Sequence, residues 1–346
     1  MTHQQPRALA NAQVPLPLRP SGTGALSGTG RAHGKVILLG EHAAVYGAPA
    51  VAVPLPALSC TVTAAWTADP GGGPGRHRYT PFTVPGDGLV SPATGGLPQG
   101  LCLLIDTALR RARRPDVPVV GLTLASNIPY GRGLGSSAAC AHALTHALDQ
   151  LLHLRLSAAE VFEYVQISET ATHGRASGID ALAVGSTRPV LLSDGRPRTP
   201  PVSAQAWIVV ADSGNAGDTR QAVTMLRDAF DEHPLRREDF LAQSASLTRR
   251  ALRALEHGRL DRLGQDLTDC HSLLAGLQLS TKRVDALVNA ALGHGALGAK
   301  MTGGGLGGCA IALTDSAAAA DTLAEHLRRN DAVNTWTARI EQGGPV

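Results

Sequence analysis

Apolar residues come first in short runs and later in helical repeats. Lys35–Leu39 (KVILL) is a short apolar run and predicts a buried strand. Val51–Val53, Leu58–Ala64 and Val119–Ala125, rich in β-branched residues, are further strand candidates. Asp69–Arg78 and Pro85–Gln99 are dense in Gly and Pro and read as loops. Ser136–Leu152, Ala/Leu-rich and without Gly or Pro, predicts the first helix, and Ser157–Thr172 the second. Ser157 and Glu160 have capping-box spacing at the start of that second helix, and Gly174 sits just past its end. Ser193–Pro201 (SDGRPRTPP) reads as a linker, after which Trp207–Ala211 starts a new strand. Helical patterns follow at Asp218–Ala229, Arg236–His257, Leu260–Leu274 and Thr281–Leu292, then a strand at Cys309–Leu313 and a last helix at Ser316–Arg329. Strands and helices alternate irregularly and without an internal repeat. The pattern predicts two α+β domains, 29–197 and 202–346.

Composition narrows the picture. Hydrophobic residues are 43% of the 346 and aromatics 3%, so the core must be mostly Ala, Val, Leu and Ile. A net charge of +3 with scattered Lys and Arg argues against nucleic acid and is compatible with an anionic small-molecule substrate. Cys60, Cys102, Cys140, Cys270 and Cys309 are odd in number and show no metal or redox spacing, so they read as reduced thiols of a cytoplasmic protein. No apolar run approaches the ~18 residues needed to span a bilayer, so no membrane is expected. Residues 1–28 carry Gln, Pro, Gly and Ser without an apolar signal core and read as a disordered tail.

The chain is rich in glycine, 39 of 346 residues, so a lone GxG carries little weight. The loop Pro129–Ala138 (PYGRGLGSSA) offers more: a strand candidate precedes it and a strong helix follows directly. Gly131, Gly133 and Gly135 permit sharp turns, and the helix N-terminus at Ser136–Ser137 suits a phosphate. The loop is neither a Walker A loop nor a Rossmann fingerprint; a serine-capped turn is the plainer reading. Gly303–Gly308 (GGGLGG) satisfies GxGxxG, but an apolar strand follows instead of a helix, so the dinucleotide reading fails.

Several ionisable residues sit in apolar contexts. Glu169 shares a helical face with Phe162, Val165 and Gln166; it is either a buried metal ligand or an exposed residue at a helix end. Asp180, in His173–Asp180 (HGRASGID), is a general-base candidate or a turn cap. Lys35 opens a buried strand, with Glu41 and His42 close behind in Gly40–Gly47, which suggests a site wall or a strand end meeting solvent. His142 and His146 have a metal-pair spacing without a third ligand in sequence, which argues against zinc, and no GxSxG elbow supports a hydrolase.

Three motifs, in chain order, resemble those of one family, the GHMP kinases (galactokinase, homoserine kinase, mevalonate kinase, phosphomevalonate kinase). They are GKVILLGEHAAVYG at 34–47, PYGRGLGSSAA at 129–139 and KMTGGGLGGCAIAL at 300–313. Within that family GEHAAVYG and HGRASGID are most similar to the mevalonate kinases. The resemblance implies a two-domain α+β fold, an N-terminal domain related to ribosomal protein S5 and a ferredoxin-like C-terminal domain, with ATP and substrate in the cleft between them. It implies Mg2+-dependent transfer of phosphate from ATP to the primary hydroxyl of mevalonate, with Asp180 as base and Lys35 beside it. Ser137 and Glu169 are the implied metal ligands. Pro129, Gly131, Arg132, Gly133, Leu134, Gly135, Ser136 and Ser137 are the implied ATP contacts. On the substrate side it implies Lys35, Glu41, His42, Asp180, Thr219 and Gly304. Family members are often homodimers. The chain departs from the family at Tyr130 and Arg132, where smaller residues are common; Arg132 then adds a phosphate contact or faces solvent. Phosphomevalonate and homoserine kinases are the nearest rivals, and a phosphorylated substrate calls for extra cations, of which only Arg175 is evident near Asp180. A non-catalytic nucleotide-binding regulator is disfavoured by intact Lys35, Glu169 and Asp180.

Overall fold

The apolar run at 35–39 is the inner end of a strand that starts at Ser27. The structure, a computed structural model, describes residues 27–67, 79–83, 96–113, 119–174, 176–203, 205–330 and 332–340. In chain order the elements are β1 (Ser27–Leu39), a 3₁₀ turn (Ala43–Tyr46), β2 (Ala50–Thr67), β3 (Tyr79–Thr83), α1 (Gln99–Arg111), β4 (Val119–Ser126), α2 (Ser136–Leu152), α3 (Ala158–His173), α4 (Ile179–Ala183), β5 (Val190–Ser193) and β6 (Arg196–Arg198). The second half follows as β7 (Ala206–Asp212), α5 (Thr219–Glu232), α6 (Pro234–Glu256), α7 (Leu260–Gly276), α8 (Lys282–Gly293), β8 (Gly298–Thr302), β9 (Cys309–Thr314), α9 (Ala317–Asn330) and β10 (Asn334–Ile340).

Most of the expected tail, residues 1–26, lies outside the described residues. Its end does not read as expected, because Ser27 and Gly28 already pair with Ala65 and Ala64 of β2. The reason is the glycine spacing. A Cβ on Gly28 would lie 2.1 Å from the Ala147 carbonyl oxygen and one on Gly30 1.9 Å from that of Ala143. Only a bare backbone lets α2 lie this close to β1.

The two short strands expected at 51–53 and 58–64 are one strand, β2, which runs through Pro54 and Pro56. The pairing register with β1 shifts between His33 and Gly34, so that β2 carries extra residues around Pro56, which cannot donate to the ladder. The expected linker at 193–201 is largely a hairpin: β5 and β6 pair around Asp194 and Gly195, whose φ values of 51° and 70° suit a tight turn. The loop expected at 69–78 lies outside the described residues, as does most of that at 85–99.

The first sheet runs β3-β4-β2-β5-β6, with β1 paired to β2. The second is antiparallel in the order β10-β7-β9-β8, which is the fourth, first, third and second of its strands and so the ferredoxin-like order. One hydrophobic cluster, built mostly of Ala, Val, Leu and Ile, spans both sheets. A smaller one gathers Ile37, Ala50, Ala52, Ile179, Ala183 and Val190 under α4 and fixes the helix that carries Asp180. Among the described residues no helix is long and apolar enough to cross a membrane.

Candidate active site

Between the two sheets lies a cavity of ≈ 350 Å³, lined by residues from β1, the 129–138 loop, α3, α4, the start of α5 and the 303–308 loop. The glycine loop forms one wall. α2 is capped by Gly135, and its first intrahelical bond runs from Ala139 N–H to the Gly135 carbonyl. The N–H groups of Ser136, Ser137 and Ala138 therefore precede the helical ladder, at the positive end of a 17-residue helix. The second glycine cluster packs backbone to backbone on the first: a Cβ on Gly303 would lie 2.8 Å from Gly133 Cα. The two glycine-rich motifs are opposite faces of one cleft.

Lys35, buried in β1, links the loop to α4. Its Nζ lies 2.9 Å from Asp180 Oδ2 and donates to the Gly133 carbonyl at 3.2 Å. Asp180 sits in the first turn of α4 and keeps about a third of its side chain exposed, toward the cavity. Glu169 is buried, which removes the exposed-helix-end alternative, and it accepts from Ser137 Oγ at 2.7 Å. Burial, helped by the charge of Asp180, pushes its carboxyl up to about 7, against the pull of Ser137 and Lys35.

Glu41 and His42 follow the last residue of the β1 ladder. Glu41 is paired with Lys300 Nζ, which also donates to the Met301 carbonyl at 2.6 Å. Burial raises the Glu41 carboxyl and the Lys300 charge opposes that rise. Glu41 Oε2 is buried and without a hydrogen-bond partner among the described residues. His42 holds a φ of 60°, a conformation L-residues rarely adopt, and its Nε2 lies 3.1 Å from the Gly304 carbonyl. A carbonyl only accepts, so Nε2 carries the proton. Burial lowers the ring to about 4, so it is neutral and Nδ1 is a bare acceptor. Thr219 opens α5 across the cleft, close against Gly304.

The implied ATP contacts divide. Gly131, Gly133, Gly135, Ser136 and Ser137 line the cavity. Leu134 instead turns its side chain into the core, its carbonyl accepting from Lys35 N–H at 3.0 Å, and Pro129 does not line the cavity. Arg132 neither faces solvent nor points into the cavity: its Nε lies 3.2 Å from Asp212 Oδ1 on β7. A buried carboxylate in the second sheet has drawn the guanidinium away from the cavity.

Sequence reading missed Lys300, Arg220 and Gln166. Lys300 presents the same anomaly as Lys35, a lysine in an apolar run beside a glycine turn. Arg220 donates to the Thr172 carbonyl at 2.5 Å and, with Lys35, is one of the two cationic side chains on the cavity wall among the described residues. Gln166 lines the cavity, its Oε1 buried and without a hydrogen-bond partner among the described residues. Arg175 lies outside the described residues. Among the described residues no three His, Cys, Asp or Glu side chains converge as a metal site, His142 and His146 included. All five cysteines are free.

Comparisons with known proteins agree with this geometry. Residues 103–187 match the GHMP kinases N terminal domain and residues 251–332 the GHMP kinases C terminal domain. A mevalonate kinase of Pyrococcus horikoshii is 33% identical over 295 residues, covering 81% of this chain and 86% of the relative. One from Aeropyrum pernix is 31% identical, covering 82% and 87%. The crystal structure of L. major mevalonate kinase in complex with R-mevalonate superposes with a TM-score of 0.72 over 92% of this chain and 97% of the other, at 23% identity, which speaks for the fold. Mevalonate kinase from methicillin-resistant Staphylococcus aureus has a TM-score of 0.65 at 27% identity, over 91% and 99%. By sequence relationship, by fold and by the facing glycine loops, the chain belongs to the GHMP kinases, in their mevalonate kinase family.

Proposed function

We propose that this protein transfers the terminal phosphoryl group of ATP to the primary hydroxyl of mevalonate, giving ADP and 5-phosphomevalonate. The observation that carries the reading is the Lys35–Asp180 pair at 2.9 Å, facing the helix N-terminus of the phosphate loop. Phosphoryl transfer asks little covalent chemistry of a protein; it asks for position and charge.

Asp180 accepts the proton as the hydroxyl oxygen bonds to the γ-phosphorus and the bond to ADP breaks. Lys35 holds that carboxylate in place and sets a positive charge between it and the loop. The N–H groups of Ser136–Ala138 receive phosphate oxygens. Ser137 and Glu169 present two hard oxygens 2.7 Å apart, a donor set that would suit Mg2+. Held there, Mg2+ would supply positive charge against the transferring phosphates.

Substrate recognition follows from donors and acceptors. His42 Nδ1 is an acceptor without a proton to give, so it suits a substrate hydroxyl and not the carboxylate, while Glu41 is buried against Lys300 and supports this wall from within. The carboxylate falls to Arg220, because Lys35 is engaged by Asp180. Thr219 and Gly304 close the same side. The homodimer implied by the family belongs to the same proposal and is read by light scattering.

The test is an ADP-release assay with mevalonate, phosphomevalonate, homoserine and galactose, each with and without Mg2+. Turnover of mevalonate alone, abolished by EDTA and restored by Mg2+, supports the reading. Absence of mevalonate turnover would sink it.

A further inference from the structure

Arg132 stands in the phosphate loop but reaches away from the phosphates. Asp212, its partner, is the last residue of β7 and is paired in the ladder with Cys309 of β9 and Asn334 of β10. The strand is therefore anchored on both sides where the carboxylate emerges. Its Oδ1 also accepts from Gly214 N–H at 2.8 Å. The pair is covered, with 19% of the Arg132 side chain and 6% of that of Asp212 exposed. Two backbone contacts flank it. Gly217 N–H donates to the Gly131 carbonyl at 2.8 Å, and a Cβ on Gly308 would lie 2.9 Å from the Arg132 carbonyl oxygen. Three successive loop residues, 131–133, thus touch the second sheet or its loops: one by a backbone bond, one by an ion pair, one by glycine packing.

We propose that Arg132 is a positioning residue which, through Asp212, clamps the phosphate loop to the second sheet and does not bind the nucleotide. This rests on the kinase reading above. Within the loop Arg132 is flanked by glycines with φ of 71° and 75°, so the backbone there does little to hold one conformation. Its phosphate-binding N–H groups must nevertheless face a substrate gripped by Thr219 and Gly304 in the other half of the molecule. An ion pair shielded from water and rooted in a central strand supplies that register. Removing either member leaves the other partly buried and uncompensated.

The experiment is steady-state kinetics on Arg132→Gln, Asp212→Asn and the double variant, with melting temperatures measured with and without ATP. A clamp predicts that each single variant raises KM for ATP by the same factor, about tenfold. KM for mevalonate stays near that of the wild type, and the double variant is no worse than either single. A guanidinium that binds phosphate directly predicts a different pattern. Arg132→Gln raises KM for ATP, whereas Asp212→Asn, freeing the arginine toward the cavity, leaves it unchanged or lowers it; that outcome overturns the proposal. So does an unchanged KM for ATP in both singles, or an equal loss across both KM values and kcat, which marks general damage. If Asp212→Asn does not fold, Arg132→Gln decides alone. A lower melting temperature without nucleotide, together with the raised KM, supports the clamp. A raised KM with an unchanged nucleotide-free melting temperature overturns it.

Discussion

Lys300 of β8 and Glu41, just past the end of β1, form an ion pair sealed from water, with 0% and 1% of their side chains exposed. The pair joins the two sheets directly behind His42. A charge pair this deep gains strongly from mutual attraction, but each ion loses its hydration, so the pair is worth most relative to a broken pair. Lys300→Met leaves Glu41 alone in the interior and is expected to cost about 3–5 kcal/mol in urea unfolding. Lys300→Met with Glu41→Gln removes both charges and should recover much of that loss. A double variant as unstable as the sum of the singles would show that the two residues act independently.

Asp180 and Lys35 divide along another line. Asp180→Asn keeps the size of the side chain and removes its capacity as a base. Turnover is expected to fall about 10²–10⁴-fold, the usual contribution of a general base. ATP affinity, measured by calorimetry, should stay near that of the parent protein, because the phosphate loop is formed without Asp180. Near-normal turnover would place the base elsewhere.

Gly304 is the tightest point on the wall proposed to hold the substrate. A Cβ there would lie 2.2 Å from Thr219 Oγ1 and 2.7 Å from its Cβ, a clash that a flexible tip cannot relieve. The same residue presents the carbonyl that fixes the His42 tautomer. Gly304→Ala should therefore lower kcat/KM for mevalonate by tenfold or more while KM for ATP changes less. An equal effect on both substrates would mean that the loop shifts as a whole.

These expectations draw on residues that the sequence exposes unevenly. Helices α2, α3 and α5–α9 were legible because their apolar spacing is long, and the starts of α2, α3, α5, α8 and α9 carry Ser, Asp or Thr; Ser157 indeed forms the capping box with Glu160. The strand β8 was not, since GAKMT has little β propensity and takes its form from pairing with β9. Helix α1 was overlooked although Leu101, Leu104, Ile105, Ala108 and Leu109 are buried at helical spacing, because the Gly/Pro-rich stretch before it was read through to Gln99. Within the site, Lys35, Glu169 and Asp180 stood out as charges in apolar surroundings. The destination of Arg132 did not: which carboxylate attracts a loop arginine depends on a partner 80 positions away, and no local pattern records it.

Acid sensitivity offers a last expectation, away from the cleft. His142 of α2 packs against Gly185 and is faced by His146 on its own helix and by His33 and the Arg31 backbone on β1. Its Nδ1 is buried without a partner among the described residues. Burial, aided by the neighbouring histidines, lowers the ring from 6.5 to about 4. The folded protein thus holds His142 neutral where the unfolded chain would protonate it. Stability from this residue is fully present above pH 6.5 and is lost progressively as pH falls toward 4, since the unfolded state binds the extra proton. The full change corresponds to something on the order of 3 kcal/mol. His142→Gln removes the titration. Between pH 7.5 and 5 the variant should lose less stability than the parent, measured by urea unfolding at each pH. Identical acid slopes in the two proteins would show that the ring is accommodated when charged.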